Sequence, residues 1–324
     1  MPADEFEIIR TLFAPLAVSA GARGLIDDVA VLEARGQVIV TTDAIVEGVH
    51  FLPDDPIDLV AKKALRVNLS DLAAKGARPH SALLTLVWPD QRPASQIGEF
   101  ARGLGEDLRH FGVALIGGDT TSTPGPLAVC MTLFGEAIGE RIPSRADARP
   151  GQDIWVTGTL GDAWLGFEVL RGAWPEAEAA QREAVVARYR LPEPRIAFAP
   201  AVAAYAGAAM DVSDGLIADA GKLAKASRVV LRIDADSLPL SPAARAWMSG
   251  ERVPTYGRFF NWGDDYEILF TSDAVHREAI AAAGSEFGMP VKRVGEVAQG
   301  EGVNLNGVDD ASFGQGGHSH KLGR

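Results

Sequence analysis

Two kinds of apolar pattern alternate along the chain and predict alternating strands and helices. The run 38–43 begins with apolar residues and then turns polar, which predicts a buried strand ending in Thr41, Thr42 and Asp43. Apolar residues at helical spacing predict a helix over 59–75, and an amphipathic pattern predicts a second one over 97–110. Further strands are predicted over residues 82–87, 113–116 and 127–136.

The second half of the chain repeats this alternation. Strands are predicted over residues 153–157, 208–212, 229–233, 266–270 and 291–297. Helices are predicted over residues 162–171, 197–205 and 215–225. The tail from Gly302 is rich in Gly, Asp and His, and we expect it to be partly mobile.

A segment without periodicity, RIPSRADARPGQD, separates the two halves and is rich in Pro, Arg and Gly. We place a domain boundary there, which predicts domains over residues 1–145 and 146–324. A length of 324 residues is comfortable for two domains. Mixed strands and helices in both halves predict an α/β (α+β) fold class.

Composition and charge exclude several function classes. The formal charge of −12 and the lack of a basic run argue against nucleic-acid binding. The acidic start does not predict a secretory signal, and no apolar run is long enough to predict a membrane span. The one cysteine, Cys130, forms no internal disulfide, which fits the cytoplasm.

Aspartates recur where predicted strands end or helices begin. They are Asp27, Asp28, Asp43, Asp71, Asp119, Asp211, Asp214, Asp264 and Asp265. Any one of them could be a helix cap or a turn residue, and for Asp214 taken alone capping is the better interpretation. Asp71 fits that interpretation less well, because it lies inside a predicted helix three residues after Asn68 and on the same side.

Together these carboxylates indicate a site for hard cations. Carboxylates gathered in one place repel one another unless cations bind. With hydroxyls from Thr41, Thr42 and Ser213 they form an oxygen-only set, which suits Mg²⁺, Mn²⁺ or Ca²⁺. Zinc spacing and an EF-hand loop are both missing from the sequence. Because Mg²⁺ shares its shell with substrate phosphates, the pattern favours a site that joins Mg²⁺ to a polyphosphate.

Two glycine turns are candidate phosphate sites, LIGGDTTS and GTLGDAWLG. The Walker A, dinucleotide-binding and protein-kinase motifs are missing from the sequence.

A series of motifs in order resembles the bacterial thiamine-monophosphate kinases. That family belongs to the ATP-binding superfamily typified by aminoimidazole ribonucleotide synthetase and selenophosphate synthetase. The matching motifs run from EFEIIRTLFAPL to about residue 297 and include DDVAVL, TTDAIVEGVHF, KALRVNLSDLAAKGARP, LIGGDTTSTPGPL, IPSRADARPGQDIWVTGTLGDAWLG, DVSDGLIADAGKLAKAS and GDDYEILF.

The resemblance implies an activity and an architecture. The family transfers the γ-phosphate of ATP directly to thiamine monophosphate, giving thiamine diphosphate and ADP without a phosphoenzyme. It implies ATP as co-substrate, several Mg²⁺ ions, ATP in the cleft between two domains, and a homodimer with a barrel-like interface formed by the N-terminal domain.

The resemblance also implies a role for individual residues. The metal positions are Asp28, Thr41, Thr42, Asp43, Asp71, Asp119, Asp211 and Asp214. The ATP contacts are Gly118, Asp119, Arg145 and Ser213. The substrate contacts are His50 and Asp264, with Phe313 as a weak candidate for the aromatic residue that often ends the family. A structural hydrogen bond is the alternative explanation for His50.

Three positions depart from the family pattern. Ile26 stands where a glycine usually precedes the Asp-Asp pair, Trp262 stands for a glycine, and Asp264 stands for a glutamate. The alternatives to this kinase are another enzyme of the superfamily with a different acceptor, and a non-catalytic nucleotide or divalent-cation sensor. Selenophosphate synthesis is disfavoured because the N-terminal region has no cysteine.

Overall fold

The computed structural model describes residues 5–26, 29–32, 36–249 and 256–307. The chain divides into two compact units, the first comprising Met1–Leu72 with Ala77–Ala137 and the second Ala73–Gly76 with Ile138–Arg324. Compactness alone does not define a folding domain, so the boundary near residue 145 stays a prediction. Among the described helices, none is long and apolar enough to cross a membrane.

The first unit combines a mixed sheet with two long helices. Its regular elements are α1 (Glu5–Ile8), β1 (Val38–Val46), α2 (Ile57–Ala74), β2 (Ala77–Pro89), α3 (Ser95–Phe111), β3 (Ala114–Thr123) and β4 (Ala128–Ala137), with a π-helical turn over Ile9–Phe13 and 3-10 turns over Ala14–Leu16 and Ala20–Leu25. Within the described residues the strand order is β1-β4-β2-β3. The β2–β3 pair is parallel, while β4 runs antiparallel to both β1 and β2.

The sheet of the first unit has one buried and one half-open face. Along β4, Val129, Met131 and Leu133 are fully buried, while Cys130 and Thr132 between them are partly exposed. Successive side chains of a strand point to opposite faces, so this alternation separates the two sides of the sheet.

Two strands of this sheet are longer than predicted. β1 continues past Asp43 to Val46, because its backbone pairs with β4 from Val38↔Glu136 to Val46↔Ala128. The prediction that Thr41, Thr42 and Asp43 end the strand is therefore wrong. β3 likewise extends to Thr123, beyond the predicted 113–116. Ladder hydrogen bonds tolerate polar side chains, so a change to polar residues did not mark the strand ends.

The second unit is a mixed sheet with helices. Its elements are β5 (Asp153–Thr157), α4 (Asp162–Leu170), α5 (Ala179–Arg190), α6 (Ala199–Tyr205), β6 (Ala209–Val212), α7 (Leu216–Ser227), β7 (Val230–Asp234), α8 (Pro242–Ser249), α9 (Tyr256–Asn261), β8 (Glu267–Ser272), α10 (Arg277–Glu286), β9 (Val291–Ala298) and β10 (Gly302–Asn306), with 3-10 turns over Ile196–Phe198, Ala235–Ser237 and Ala274–His276. The strand order is β10-β7-β9-β5-β8-β6 among the described residues. Among the described strands of this second sheet, β10 and β7 pair in parallel and the other neighbours pair antiparallel.

Several elements of the second unit were not predicted. α8 and α10 are short helices rich in alanine, which gives little contrast between apolar and polar positions. β10 was not predicted either: Gly302–Asn306 pairs with β7 from Val230 to Asp234, and the rest of the tail that we expect to be partly mobile lies beyond the described residues. A partner strand far away in sequence leaves no local signal in such a short, glycine-bounded segment.

A buried ion cluster joins β8 to the segment that contains α5. Glu267 is fully buried, and its carboxylate accepts hydrogen bonds from Arg188 at 2.9 Å, from Arg195 Nε at 2.6 Å and from the Thr157 hydroxyl at 2.8 Å. A second guanidinium nitrogen of Arg195 contacts the other carboxylate oxygen, which makes that pair bidentate. A carboxylate removed from water needs such compensation.

We expect Arg195→Met to lower the free energy of unfolding by about 3 kcal/mol, because the change leaves Glu267 buried with one cationic partner fewer. Urea denaturation followed by circular dichroism measures this loss. Arg232→Met is the matched control, since Arg232 and Glu296 are both about half exposed and such pairs contribute about 1 kcal/mol or less. Equal losses in the two variants would contradict a special role for the buried cluster.

Candidate functional site

Two predicted metal residues meet where β1 passes α2. The Thr41 hydroxyl donates a 2.5 Å hydrogen bond to the Asp71 carboxylate, and the Asp43 backbone N–H donates to the Asn68 side chain at 3.0 Å. Asn68 and Asp71 lie three residues apart on α2 and therefore share a side of the helix, as the sequence predicted. Thr41 and Asp43 share one face of β1 by strand alternation.

Thr42 and Asp119 lie on the other face of the sheet. Thr42 accepts a 3.0 Å hydrogen bond from the Thr132 hydroxyl and donates to the backbone carbonyl of Met131 at 3.1 Å. Asp119 pairs with Thr85 of β2, and Thr85 pairs with Cys130 of β4. Cys130 and Thr132 lie two residues apart on β4 and therefore face the same side of the sheet as Asp119. The structure therefore places the hydroxyls of Thr41 and Thr42, two members of the predicted oxygen-only set, on opposite faces of the sheet.

A cavity of about 640 Å³ opens on that second face. Its wall includes the polar groups of Thr85, Asp119 and Thr132 as well as apolar side chains such as Phe13 and Leu83. A concave, largely apolar pocket with a few polar groups has the form of a small-molecule site.

Gly118 lies inside β3 and not after a strand, as the GGDT motif had suggested. Its φ is +154°, and a Cβ atom there would meet the backbone oxygen of Leu84 at 1.8 Å. Only glycine lets β3 pass this close to β2, at a point next to a register shift in the β2–β3 pairing. Any larger residue would displace Asp119, the next residue of the strand.

His50 lies in the turn after β1 and is half-buried. Its Nδ1 accepts a 3.0 Å hydrogen bond from the Val46 backbone N–H, and its carbonyl accepts one from Lys63 at 2.8 Å. An accepting Nδ1 places the proton of the neutral ring on Nε2. The structural hydrogen bond that sequence analysis gave as the alternative is thus present, and it also fixes the tautomer in which Nε2 donates.

β6 and the loop after it carry three predicted site residues, Asp211, Ser213 and Asp214. Asp211 is buried in the strand, while Ser213 and Asp214 are half-buried. The fully buried carboxylate of Asp219 accepts hydrogen bonds from the backbone N–H groups of Ser213 at 3.0 Å and Asp214 at 2.9 Å. Asp219 therefore fixes the path of this loop.

Asp214 does not cap the helix that follows, so the capping interpretation is wrong. The N-cap of α7 is Gly215, with φ at +104°, and it makes no side-chain capping bond. The Asp214 carboxylate instead contacts the ammonium group of Lys222, which also donates to Asp219 at 2.6 Å. Burial lowers the pKa of Lys222, but the two carboxylate hydrogen bonds outweigh it and the pKa is raised.

Asp264 lies in a turn whose backbone is held in an uncommon conformation. Gly263, Asp264 and Tyr266 all have positive φ, at +99°, +63° and +51°. The backbone N–H of Asp264 donates to Ser213 O at 2.9 Å, which ties this turn to the loop after β6. Non-glycine residues with positive φ cost free energy and cluster at functional sites.

Asp265 anchors the same turn from inside the protein. Both of its carboxylate oxygens accept from the Gly161 backbone N–H, at 2.9 and 3.0 Å. Burial raises the pKa of the Asp265 carboxyl well above its ordinary range, although the Gly161 hydrogen bond opposes this. The two aspartates of the motif therefore differ, since Asp264 is half-buried and Asp265 is enclosed.

Arg145 belongs to an exposed segment of the second unit. Its backbone carbonyl accepts a 2.9 Å hydrogen bond from Ser227 at the end of α7, and its side chain is exposed. The structure thus fixes the backbone of Arg145 and leaves its guanidinium group open to a ligand.

Ile26 and Trp262, two of the residues that depart from the family pattern, lie in different surroundings. Ile26 is 92% exposed. Trp262 packs against Phe167 and Tyr189, with ring centroids 5.0 and 6.2 Å away, and so places an aromatic ring beside the turn that carries Asp264.

The predicted residues Asp28 and Phe313 lie outside the described residues. In the part of the chain that the structure describes, no group of three or more His, Cys, Asp or Glu side chains lies close enough to hold a metal ion. The donors present are carboxylate and hydroxyl oxygens, which fit Mg²⁺ when one or two carboxylates and substrate phosphates share its shell.

The residues that hold the site in place were not predicted from the sequence. Asp219 and Lys222 lie one turn apart on α7, and a spacing of three residues between opposite charges was a signal that could have found them. Glu267, Arg188 and Arg195 gave no such signal, because they are far apart in sequence.

Comparisons with known proteins assign the chain to a family. The family model described as AIR synthase related protein, N-terminal domain, matches residues 26–137, and the C-terminal domain model matches residues 149–307. The thiamine-monophosphate kinase of Caulobacter vibrioides is 43% identical over 308 residues, which cover 94% of this chain and 86% of the relative.

Two solved structures are also similar. The thiamine-monophosphate kinase from Stenotrophomonas maltophilia is 38% identical with a TM-score of 0.79, covering 87% of this chain and 90% of that one. AaThiL complexed with AMPPCP and TMP is 31% identical with a TM-score of 0.77, covering 97% and 96%.

The two matched models define an enzyme fold of two mixed α/β domains. The chain belongs to the AIR synthase related proteins and, within them, to the family of the thiamine-monophosphate kinases. It is therefore a kinase.

Proposed function

We propose that the chain transfers the γ-phosphate of ATP directly to thiamine monophosphate, giving thiamine diphosphate and ADP. The observation that carries this proposal is the similarity, over 97% of the chain, to a ThiL structure that holds the ATP analogue AMPPCP together with TMP. Both ligands of the proposed reaction are thus bound by a protein of this family.

The site supports a mechanism of positioning and charge neutralisation. The attacking phosphate oxygen is ionised at neutral pH, so the reaction needs no general base. Mg²⁺ would neutralise the phosphate charges and stabilise the charge that develops during transfer. The work of the chain is then to hold phosphate oxygens in line and keep its carboxylates oriented, as Thr41 does for Asp71 and Asp219 does for the Ser213–Asp214 backbone.

We assign several Mg²⁺ ions to the predicted oxygen ligands. The described ligands are Thr41, Thr42, Asp43, Asp71 and Asp119 in the first unit and Asp211 and Asp214 in the second. Asp28, which lies outside the described residues, completes the set. The two faces of the first sheet divide the first group, so Thr41 and Asp71 would serve a different ion from Thr42 and Asp119.

We assign ATP contacts to Gly118, Asp119, Ser213 and Arg145. Gly118 allows a close backbone approach, and the exposed guanidinium of Arg145 would add fixed positive charge to the triphosphate. The half-exposed Asp264 and the Nε2–H of His50 would contact thiamine monophosphate, with Phe313 as a weak aromatic candidate.

We also propose that the chain acts as a homodimer in the cytoplasm. The single cysteine supports that compartment. The dimer is supported by β1, which is an edge strand among the described residues and leaves Val38 38% and Val40 54% exposed. An apolar, exposed edge strand is a ready surface for pairing with another chain.

The decisive assay measures ADP release and product mass with purified chain, Mg²⁺, ATP and either thiamine monophosphate or thiamine. We expect thiamine diphosphate from the monophosphate and no turnover of thiamine. Binding of Mg²⁺·ATP without turnover would contradict the proposal and favour a sensor or a different acceptor.

Asp71→Asn, run in the same assay, should lower kcat about 100-fold or more, because the amide cannot neutralise a cation. Asp58→Asn is its control and should leave kcat near that of the wild type. Asp58 lies on the same helix and is not a predicted ligand, and its carboxylate pairs with the exposed Arg102 and accepts from the Leu59 backbone N–H at 3.0 Å.

We expect His50→Ala to raise the KM for thiamine monophosphate about tenfold and the KM for ATP much less. A hydrogen bond to a charged group contributes about 1.5–3 kcal/mol, which corresponds to at least a tenfold effect. Steady-state kinetics with each substrate varied in turn measure the two constants. An equal rise in both would remove His50 from the acceptor side.

Val40→Glu should shift the chain from dimer to monomer, because a carboxylate placed in an apolar interface loses its hydration. Sedimentation velocity at micromolar concentration measures the change. Val275→Glu is the control, since Val275 is 83% exposed in the second unit and should leave the dimer intact. An unchanged dimer in Val40→Glu would place the interface elsewhere.

A further inference from the structure

The Lys222 side chain forms an ion pair with Asp214, a carboxylate that we assign as a Mg²⁺ ligand. Its ammonium group contacts the Asp214 carboxylate and donates to Asp219 at 2.6 Å. Both partners belong to the segment from the loop after β6 into α7, and Asp219 also holds the backbone of that loop through Ser213 and Asp214. One side chain therefore links a fixed structural carboxylate to a proposed metal ligand.

The two bonds of Lys222 differ in how easily they can be exchanged. The Asp219 side chain is fully buried, whereas 31% of the Asp214 side chain and 40% of the Lys222 side chain are exposed. Asp219 is held by two backbone N–H groups and cannot follow the ammonium outward. Asp214 and Lys222 reach solvent, and a lysine ammonium is a point charge on a flexible stem. The contact with Asp214 is the one that an incoming cation could replace.

We propose that Lys222 is a positioning residue that sets the Mg²⁺ affinity of Asp214. In the metal-free chain its ammonium compensates the Asp214 carboxylate, and Mg²⁺ has to displace it. After displacement the ammonium remains held by Asp219. The proposal rests on the metal role of Asp214 in the proposed function.

The Lys222 side chain has two effects: it compensates the charges of two neighbouring carboxylates, and it weakens the binding of Mg²⁺ to one of them. Without a cation, Asp214 and Asp219 are like charges at a short separation, and each would raise the free energy of the other. With Lys222 in place the loop keeps its geometry before metal arrives. The consequence is a weaker site than Asp214 alone would make, because the metal competes with a tethered charge.

Lys222→Met tests this directly, since it keeps a similar stem and removes the charge. The full chain is titrated with MgCl₂ at saturating AMPPCP, and the midpoint of thermal unfolding is followed. We expect the Mg²⁺ concentration for half-maximal stabilisation to fall about fivefold. That is the attraction of two opposite unit charges about 4 Å apart in water, here the Lys222–Asp214 contact that Mg²⁺ would no longer have to displace. Isothermal calorimetry of Mg²⁺ binding under the same conditions gives an independent value.

Two further variants separate charge from packing. Lys222→Arg keeps the charge and should leave the Mg²⁺ requirement near that of the wild type. Lys225→Met removes an exposed lysine three residues further along α7 and should also leave it unchanged. A requirement in Lys222→Met that is unchanged or higher than in the wild type would overturn the proposal, and so would an equal fall in Lys225→Met.

Asp214→Asn distinguishes failure of this inference from failure of the metal assignment. We expect Asp214→Asn to raise the Mg²⁺ requirement and to abolish the effect of Lys222→Met in the double variant. If Asp214→Asn leaves the requirement unchanged, the metal role of Asp214 is wrong and this inference fails with it. If Asp214→Asn raises it while Lys222→Met changes nothing, only the role of Lys222 is wrong.

Discussion

The repulsion between carboxylates is the constraint on which the rest of this structure depends. A chain with a formal charge of −12 folds while keeping aspartates at the places that we propose for cations. Three carboxylates of these regions have a partner of their own. Asp71 accepts from Thr41, Asp219 accepts from two backbone N–H groups, and Asp214 contacts Lys222.

The same constraint divides the acidic residues into two populations. Glu267 and Asp265 are buried, accept hydrogen bonds from protein groups and serve the fold. Asp264 and Asp214 are partly exposed and lie on two turns that a backbone hydrogen bond joins. Buried Asp265 anchors the turn of Asp264 to Gly161, and buried Asp219 holds the loop of Asp214. Buried carboxylates thus position the exposed ones, and the turn of Asp264 has an uncommon backbone with positive φ at Gly263, Asp264 and Tyr266.

The sheet of the first unit divides the predicted ligands between its two faces. Strand alternation puts Thr41 and Thr42 on opposite faces, so consecutive residues of one motif face different surroundings. One face meets α2 through Thr41 and Asp71, and the other opens into the cavity that includes Asp119. A motif whose residues are consecutive in sequence therefore contributes side chains to both faces of the sheet.

Sequence predicted much of the fold and the candidate residues. The strand over Asp153–Thr157 was confirmed, and most other predicted strands and helices were found with shifted ends, because burial leaves a periodic apolar signal. The side of α2 shared by Asn68 and Asp71 followed from helical spacing alone. The ends of β1 and β3 were not predictable from the sequence, because backbone pairing with the neighbouring strands extends both strands into polar residues.

By itself the sequence determined which residue types recur at which spacings, and hence the family and the oxygen-rich character of the site. Only the tertiary structure decided what each carboxylate contacts. Glu267 meets Arg195 across 72 residues, and Asp265 meets Gly161 across 104. Local patterns record propensity and periodicity, whereas the partner of a buried charge depends on which distant segments the fold brings within hydrogen-bond distance.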